Sequence, residues 1–306
     1  MKIPNTDKNA KYLALGAVFF WATVATAFKI GLEKLEPAIF LFYVILSSLL
    51  FFVGYLTYTK QWNTFKKITV RNFSIAIFAG LLNPFAYYLI LFEAYDRLPA
   101  QVAQSLNYTW PIVLVLMSSF INKQKIQKNV IWGLTIGFTG VLFVASRGHF
   151  FSLSFDGVGI FLAIFSSIIW ASYWIISKTS QIKPVQFLFI NQFVGLLATV
   201  SWILIADCPF IFPNTQSLLA TLYSGWFEMG ITFVLWISAV RMASRPDIIS
   251  HFIFFAPFLS LFFIRFILDE PIFFSTFIGL TMITLGILFV EFGTGIIKTI
   301  RKKLSI

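Results

Sequence analysis

Charged residues are scarce in this chain of 306 residues, since Asp, Glu, Lys and Arg together make up 11% of it, whereas soluble domains contain roughly 25%. Apolar residues make up 58%, and Phe alone occurs 39 times. A soluble fold of this length could not bury so much apolar surface. The composition therefore excludes a soluble globular protein and predicts an all-α polytopic membrane protein.

Cysteine and histidine are also nearly absent, with Cys208 as the one cysteine and two histidines in the whole chain. A single cysteine cannot form an internal disulfide framework or a cysteine cluster for a metal. The sequence also lacks an HExxH motif, a nucleophile elbow, a Walker loop and a Gly-rich dinucleotide turn. We therefore expect no enzymatic activity and no metal or other cofactor, and ATP is excluded as a direct source of energy.

Long apolar runs fill most of the chain, and a helix that crosses the roughly 30 Å core of a bilayer needs about 20 residues. The first run has a basic start but no small-residue cleavage site, so we expect it to be retained as a transmembrane helix. Ten runs reach the required length: 11–31, 37–59, 72–94, 98–119, 128–146, 157–178, 185–206, 216–239, 247–267 and 272–295.

The basic residues indicate the orientation of these ten segments. With the N-terminus in the cytoplasm, the inner loops and termini hold 18 of the 23 Lys and Arg residues. The outer loops and segment ends then hold five, which are Lys29, Lys34, Arg97, Arg147 and Arg265. This bias predicts that both termini are cytoplasmic. It also accounts for the net charge of +11, so no nucleic-acid partner is expected.

The two halves of the chain resemble each other. The stretch GLTIGFTGVLFV (133–144) matches GLTMITLGILFV (279–290) at seven of twelve positions, with an offset of 146 residues. Trp21-Ala22 also corresponds to Trp170-Ala171, at an offset of 149 residues. Two repeats of five helices, 11–146 and 157–295, are therefore predicted. Because each repeat has an odd number of crossings, the second is inserted upside down, as in many secondary transporters.

Prolines interrupt the fourth and ninth segments at equivalent positions. Pro111 and Pro257 are 146 residues apart, and each deprives the carbonyl four residues earlier of its helical partner. Matching interruptions in two inverted halves are typical of a transport site at the middle of the membrane. We interpret both prolines as hinge positions, and the alternative is a kink that only shapes helix packing.

Polar and aromatic side chains accompany these interruptions, and we expect several of them to bind a substrate. Asn107, Tyr108 and Trp110 precede Pro111 in the fourth segment, at the predicted bilayer centre. Tyr87 in the third segment and Trp170 in the sixth would add aromatic walls. The alternative for Asn107 is a hydrogen bond that joins neighbouring helices.

Glu228 in the eighth segment is the strongest single signal, because a carboxylate is costly at this depth of the membrane. Glu228 and Trp236 are eight residues apart and share a helix face, so both are candidate substrate-binding residues. Glu228 and His251 are candidate sites for coupling to protons. The alternative is a structural role, with Glu228 bonded to Tyr or Asn donors and His251 packed or capping a helix.

The ten segments, the inverted halves, the Trp-Ala pair of each half, the Gly-rich fifth and tenth segments and the stretch LDEP (268–271) resemble the EamA-type branch of the drug/metabolite transporter superfamily. Glu270 matches the Glu of the family's Gly-Glu element, whereas the first half has Gln124 at that place. The stretches NYTWP, NKQK and IIWASYW are similar to bacterial aromatic amino acid exporters. That subgroup is expected to have an uncharged residue where Glu228 stands, which puts the substrate in question.

The resemblance implies a central cavity lined by the first, third, fourth, sixth, eighth and ninth segments, and efflux of amino acids or related amphipathic metabolites across a bacterial inner membrane. The expected partners are a small-molecule substrate, protons and the lipid bilayer, and both a monomer and a homodimer are compatible with the sequence. Two alternatives stay open. One is uptake or exchange of a nucleotide-derived metabolite, and the other is a membrane scaffold without transport.

Overall fold

A computed structural model describes residues 6–123, 128–147, 156–244, 249 and 251–304, and within these ranges the regular structure is entirely helical. The predicted all-α polytopic fold is confirmed. Gln124 and some of the basic loop residues used for the orientation lie outside the described residues. Seven helical stretches are long and apolar enough to cross a membrane: Asp7–Leu32, Pro37–Tyr58, Val70–Arg97, Lys128–Ser146, Gly157–Ser177, Pro184–Ile205 and Thr215–Met242.

The other three predicted segments are also helical but are built differently. The fourth consists of two short helices, Ala100–Asn107 and Trp110–Ile121. The ninth consists of a 3₁₀ turn at His251–Phe255 and the helix Ala256–Ile267, and the tenth is the helix Phe274–Leu304. A short 3₁₀ helix, Trp62–Lys67, connects the second and third segments. Every predicted run thus falls on helical structure, while ten crossings with both termini inside remains a prediction.

The third and eighth segments change their helical winding midway. In the third, the α-helices Val70–Gly80 and Tyr87–Arg97 flank a π-helical turn at Leu81–Ala86, where Pro84 has no N–H to donate. In the eighth, Thr215–Tyr223 and Thr232–Met242 flank a π-helical turn at Ser224–Ile231. A π-turn places more residues in one turn than an α-helix does, so it rotates the following side chains relative to the preceding ones.

The fifth and tenth segments cross closely through glycines. A methyl group on Gly133 would lie 2.6 Å from the carbonyl oxygen of Gly286, and one on Gly140 would lie 2.5 Å from that of Gly279. Gly133 corresponds to Gly279 in the repeat, and Gly140 corresponds to Gly286. The two contacts are therefore the same contact seen from opposite halves. This reciprocity supports the proposal of two inverted halves, 11–146 and 157–295.

Candidate functional site

The break in the fourth segment lies directly before Trp110. The first helix ends at Asn107, Tyr108 and Thr109 form a turn, and the hydroxyl of Thr109 donates to the carbonyl of Leu106 at 2.8 Å. Pro111 then occupies the first turn of the next helix, where its missing N–H costs no helical hydrogen bond. The sequence suggested a kink within one helix, whereas the structure has two helices separated by a turn.

The ninth segment has the equivalent break. A 3₁₀ turn ends at Phe255, and Pro257 lies in the first turn of the helix that follows. The hydroxyl of Ser260 forms a buried hydrogen bond with Oε1 of Gln104, so a direct contact joins the two interrupted segments. The hinge role of Pro111 and Pro257 stays a proposal, but both prolines mark a helix start near the centre of the bundle.

A small cavity lies beside these breaks and is lined from both halves of the chain. Its volume is about 60 Å³, enough for one or two water molecules at roughly 30 Å³ each. Six of the seven residues predicted to bind substrate line it, namely Asn107, Tyr108, Trp110, Tyr87, Trp170 and Glu228. The other lining residues are Trp21, Val24, Phe28, Leu91, Tyr95, Gln104, Trp174 and Ile253.

Asn107 both lines the cavity and joins helices. Its Oδ1 accepts a hydrogen bond from the hydroxyl of Tyr87 at 3.1 Å, and its Nδ2 donates to the hydroxyl of Ser166 at 2.8 Å. These bonds connect the third, fourth and sixth segments. The two readings of Asn107 from the sequence are therefore compatible, because the amide is held in place by its neighbours while it contributes to the cavity wall.

Glu228 is buried in the π-helical turn of the eighth segment, with 7% of its surface exposed. Its Oε1 accepts a hydrogen bond from the hydroxyl of Tyr88 at 2.7 Å. Its Oε2 is also buried and has no hydrogen-bond partner within the described part of the chain. One oxygen of this carboxylate is thus satisfied by the protein, and the other is a buried acceptor without a partner among the described residues.

Aromatic rings form two faces of the cavity. Tyr87 stacks on Trp170 with ring centroids 4.6 Å apart, and Trp110 stacks on Trp174 with centroids 6.5 Å apart. Trp170 and Trp174 are nearly perpendicular at 5.9 Å. Planar apolar surfaces in this arrangement suit an aromatic or other flat apolar group.

Trp236 and His251 lie away from this cavity. They line a separate vestibule of about 470 Å³, together with Pro111, Lys178 and Val240. The vestibule and the central cavity share Trp110, Trp174 and Ile253. Trp236 was expected to share a face with Glu228, but Glu228 lies within the π-helical turn at Ser224–Ile231 and Trp236 in the α-helix that follows it. The ring of Trp236 is packed against that of Trp21, with ring centroids 5.2 Å apart.

The vestibule lies on the side of the bundle where the sequence predicts the cytoplasm, since Lys178 belongs to an inner loop. At the opposite end, which the sequence predicts to face outward, hydrogen bonds hold the helix ends together. The ammonium of Lys29 donates to the carbonyls of Tyr95 at 2.7 Å and Leu98 at 3.1 Å. The backbone N–H of Ala100 donates to Oε1 of Glu270 at 3.0 Å. Lys29 and Glu270 thus hold the turn between the third and fourth segments from both sides.

The side chain of Gln101 extends this contact between the halves. Its Nε2 donates to the carbonyl of Pro271 at 2.8 Å, and its Oε1 accepts from the backbone N–H of Phe273 at 3.0 Å. We call the contacts of Lys29, Gln101 and Glu270 the outer closure. Although a lysine near a helix end often extends to the membrane interface, the ammonium of Lys29 binds backbone carbonyls inside the protein.

Sequence reasoning also missed several cavity residues. The sequence did not indicate that Tyr88, rather than Tyr87, would bind Glu228. The π-helical turn before Tyr88 changes the helix face on which each tyrosine lies. Trp21 and Trp174 could be suspected from the Trp-Ala repeat and the aromatic run of the sixth segment. No group of three or more His, Cys, Asp or Glu side chains that could hold a metal is present among the described residues.

A bundle of membrane-spanning helices with a polar, aromatic cavity between two halves is the architecture expected of a membrane transporter. Comparison with known families gives the same class, since the chain matches the EamA-like transporter family twice, over residues 9–146 and 157–292. The protein therefore belongs to the EamA-like transporter family, within the drug/metabolite transporter superfamily, and is a multi-pass membrane protein. Members of this family are transporters.

Several relatives are similar over much of the chain. The uncharacterized transporter YoaV of Bacillus subtilis is 24% identical over 89% of this chain and 93% of its own length. The aromatic amino acid exporters YddG of Ancylobacter novellus and Salmonella typhimurium are 26% and 25% identical, with 55% and 63% of their lengths aligned. A crystal structure that is 18% identical superposes with a TM-score of 0.63 over 92% of this chain and 96% of that chain, which shows the fold alone.

Proposed function

We propose that the protein is a secondary active transporter that moves amino acids or related small amphipathic metabolites across the bacterial inner membrane by alternating access. The substrate binds in the central cavity, between the aromatic faces and next to Glu228 and Asn107. The proposal agrees with the similarity to aromatic amino acid exporters, which favours efflux as the direction.

The observation that carries this proposal is the position of the central cavity. It lies at the interrupted fourth and ninth segments, which have a proline in the same repeat position, and both halves of the chain contribute to its walls. Irregular backbone at membrane depth is tolerated only inside protein or beside water. A site between two inverted halves can be opened to either side by a movement of one half against the other.

On this proposal, the conformation is a constricted one that opens toward the predicted cytoplasmic side. A cavity of about 60 Å³ is smaller than the roughly 300–1,000 Å³ typical of ligand pockets, while the vestibule of about 470 Å³ meets it at Trp110 and Trp174. A substrate that arrives from the vestibule must therefore displace this stacked pair. The outer closure blocks the opposite end in the same conformation.

We assign proton coupling to Glu228, with His251 as a second candidate in the vestibule. A carboxylate that a proton or a substrate can occupy in turn would exchange one for the other across the membrane. The groups that face Glu228 are the phenols of Tyr87, Tyr88 and Tyr108 and the amides of Gln104 and Asn107. Replacement of Glu228 should remove the pH dependence of flux, and replacement of His251 should leave most of it.

The test is transport in proteoliposomes by the purified protein and its variants Glu228→Gln and Asn107→Ala. We expect both variants to lose flux by about tenfold or more, since each removes a polar contact that closes around the substrate. Glu93→Gln is the matched control, because Glu93 lies on the outer surface and pairs with Arg97 at 2.8 Å. Unchanged flux in both cavity variants would contradict the assignment of the site.

Two other functions make different predictions in the same assay. Uptake or exchange of a nucleotide-derived metabolite predicts flux into cells, and radiolabel followed in both directions separates it from efflux. A scaffold without transport predicts that the polar groups at the centre satisfy each other in a closed bundle. The cavity beside Asn107 and the buried Oε2 of Glu228 support transport over a scaffold.

A further inference from the structure

The charge of the central cavity restricts the substrate further than its shape does. Glu228 is the one charged side chain among the described residues that line it. The other polar groups of the wall are neutral, namely three phenols, two amides and the indoles. Lys29 lies toward the outer end, and its ammonium is already bound to the carbonyls of Tyr95 and Leu98. When Glu228 is deprotonated, the cavity therefore holds a negative charge that no cation among its described lining residues compensates.

The arrangement around Glu228 suits an ammonium group. Tyr88 fixes the carboxylate through Oε1, while Oε2 is buried without a hydrogen-bond partner among the described residues. A buried acceptor without a partner is costly, so a donor with a positive charge gains both a charge-assisted hydrogen bond and the removal of that cost. The faces of Tyr87, Trp170 and Trp174 surround the same space, and aromatic faces attract cations.

A carboxylate on the substrate has no such partner. A zwitterionic amino acid would place its own negative charge beside Glu228, and two carboxylates that share a site disfavour each other. The helix that begins at Trp110 offers an N-terminus, but a helix end carries only about half an elementary charge. That amount cannot compensate two carboxylates. Neutral phenols and amides can donate hydrogen bonds but do not balance the charge.

We propose that the central cavity selects aryl-alkyl amines that carry a single positive charge over the corresponding zwitterionic amino acids, with Glu228 as the residue that determines this specificity. The inference rests on the proposed function, because it concerns the same cavity. The aromatic faces recognise the ring, the carboxylate recognises the ammonium, and the missing cation excludes a carboxylate.

The test compares pairs of compounds that differ only by the carboxylate, namely tryptamine with tryptophan and phenethylamine with phenylalanine. Binding of radiolabelled tryptamine to the purified protein is measured, followed by competition with the other three compounds. In the wild-type protein we expect each amine to bind at least about tenfold more tightly than its amino acid, which corresponds to about 1.4 kcal/mol. In Glu228→Gln the ratio should fall to within about threefold, and in Glu93→Gln it should stay as in the wild type.

Equal or tighter binding of the amino acids to the wild type would overturn the proposal, and so would an amine preference that survives Glu228→Gln. The wild-type comparison needs no variant, so a folding defect of Glu228→Gln cannot hide the first of these results. Transport of amino acids without amines would refute the specificity while the transporter function stands. Absence of binding and flux for all four compounds would overturn the specificity and also count against the proposed function.

Discussion

The two ends of the bundle differ although the sequence makes them repeats of each other. At the outer end, Lys29 binds the carbonyls at the end of the third segment. At the inner end, Lys178 follows Trp170-Ala171 at the same distance as Lys29 follows Trp21-Ala22, yet it is exposed and lines the open vestibule. Lys29 thus contacts the helix end beside it, whereas the equivalent Lys178 is apart from its own. This difference is expected of an alternating-access transporter in one of its two states.

The ends of the third and eighth segments are also equivalent positions in the two repeats. The third segment ends at Leu98, whose N–H donates to the carbonyl of Ala94 at 2.9 Å, and the eighth ends at Ala243, whose N–H donates to that of Ala239 at 3.1 Å. Tyr95 then corresponds to Val240, which lines the vestibule with Lys178. We therefore expect closure of the inner end to bring Lys178 onto the carbonyls of Val240 and Ala243.

The largest effect is expected from fixing the outer end shut. In a background with Cys208→Ser, cysteines at Gln101 and Phe273 joined by a short thiol cross-linker should abolish flux, because the outer closure must open in every cycle. The control is a cross-link between cysteines at Asn129 and Val290, which lie in the contact of the fifth and tenth segments and should allow flux. Flux in the protein with a cross-linked outer end would contradict the proposed difference between the two ends of the bundle.

Loosening the outer end should have the next largest effect. Lys29→Met removes two hydrogen bonds from a charged donor, each worth roughly 1.5–3 kcal/mol, so the inward-open state should lose at least about tenfold in population. Accessibility of a cysteine at Tyr95 to an impermeant thiol reagent added outside should rise accordingly. Lys34→Met is the control, since Lys34 is exposed at the same end. An equal rise of accessibility in this control would show that the loss of any lysine at this end opens it.

Removal of the inner lysine should act in the opposite direction. Lys178→Met should lower flux severalfold by weakening a contact that forms only in the outward-open state, where a charged donor gains roughly 1.5–3 kcal/mol for each carbonyl it binds. Binding of substrate from the vestibule side should stay unchanged, which separates this variant from Lys29→Met in a binding assay. Lys183→Met, in the same inner loop, serves as its control. Weaker binding with unchanged flux would argue that Lys178 contacts the substrate instead.

The smallest effect is expected at the boundary between vestibule and cavity. Trp174→Ala removes one ring of the pair that separates them, and an aromatic pair is worth about 0.5–1.5 kcal/mol beyond its buried area. The apparent KM should change by about two- to tenfold while the two ends keep their accessibility. Trp132→Ala is the control, because Trp132 is exposed on the fifth segment. If Trp174→Ala changed which end of the bundle is accessible, the pair Trp110–Trp174 would be part of a closure.

Much of this arrangement could be predicted from residues alone. Charge bias and apolar length locate the helices, and Pro111 and Pro257 locate the central breaks. A carboxylate at membrane depth is rare enough that Glu228 was found directly. The contacts of Lys29 could not be predicted, because a lysine near a helix end usually reaches water and its carbonyl partners lie 66 and 69 residues away in sequence. The position of Trp236 outside the cavity could not be predicted, because no residue pattern indicates a π-helical turn.

The most direct measurement of the central claim is thiol labelling of Tyr108→Cys in the Cys208→Ser background, because Tyr108 lines the cavity at the break in the fourth segment. An impermeant reagent should react from the cytoplasmic side in the resting protein, and from the outer side only with Lys29→Met or during substrate turnover. Labelling from neither side under any condition, or from both sides at once in the resting protein, would contradict an alternating-access site at this position.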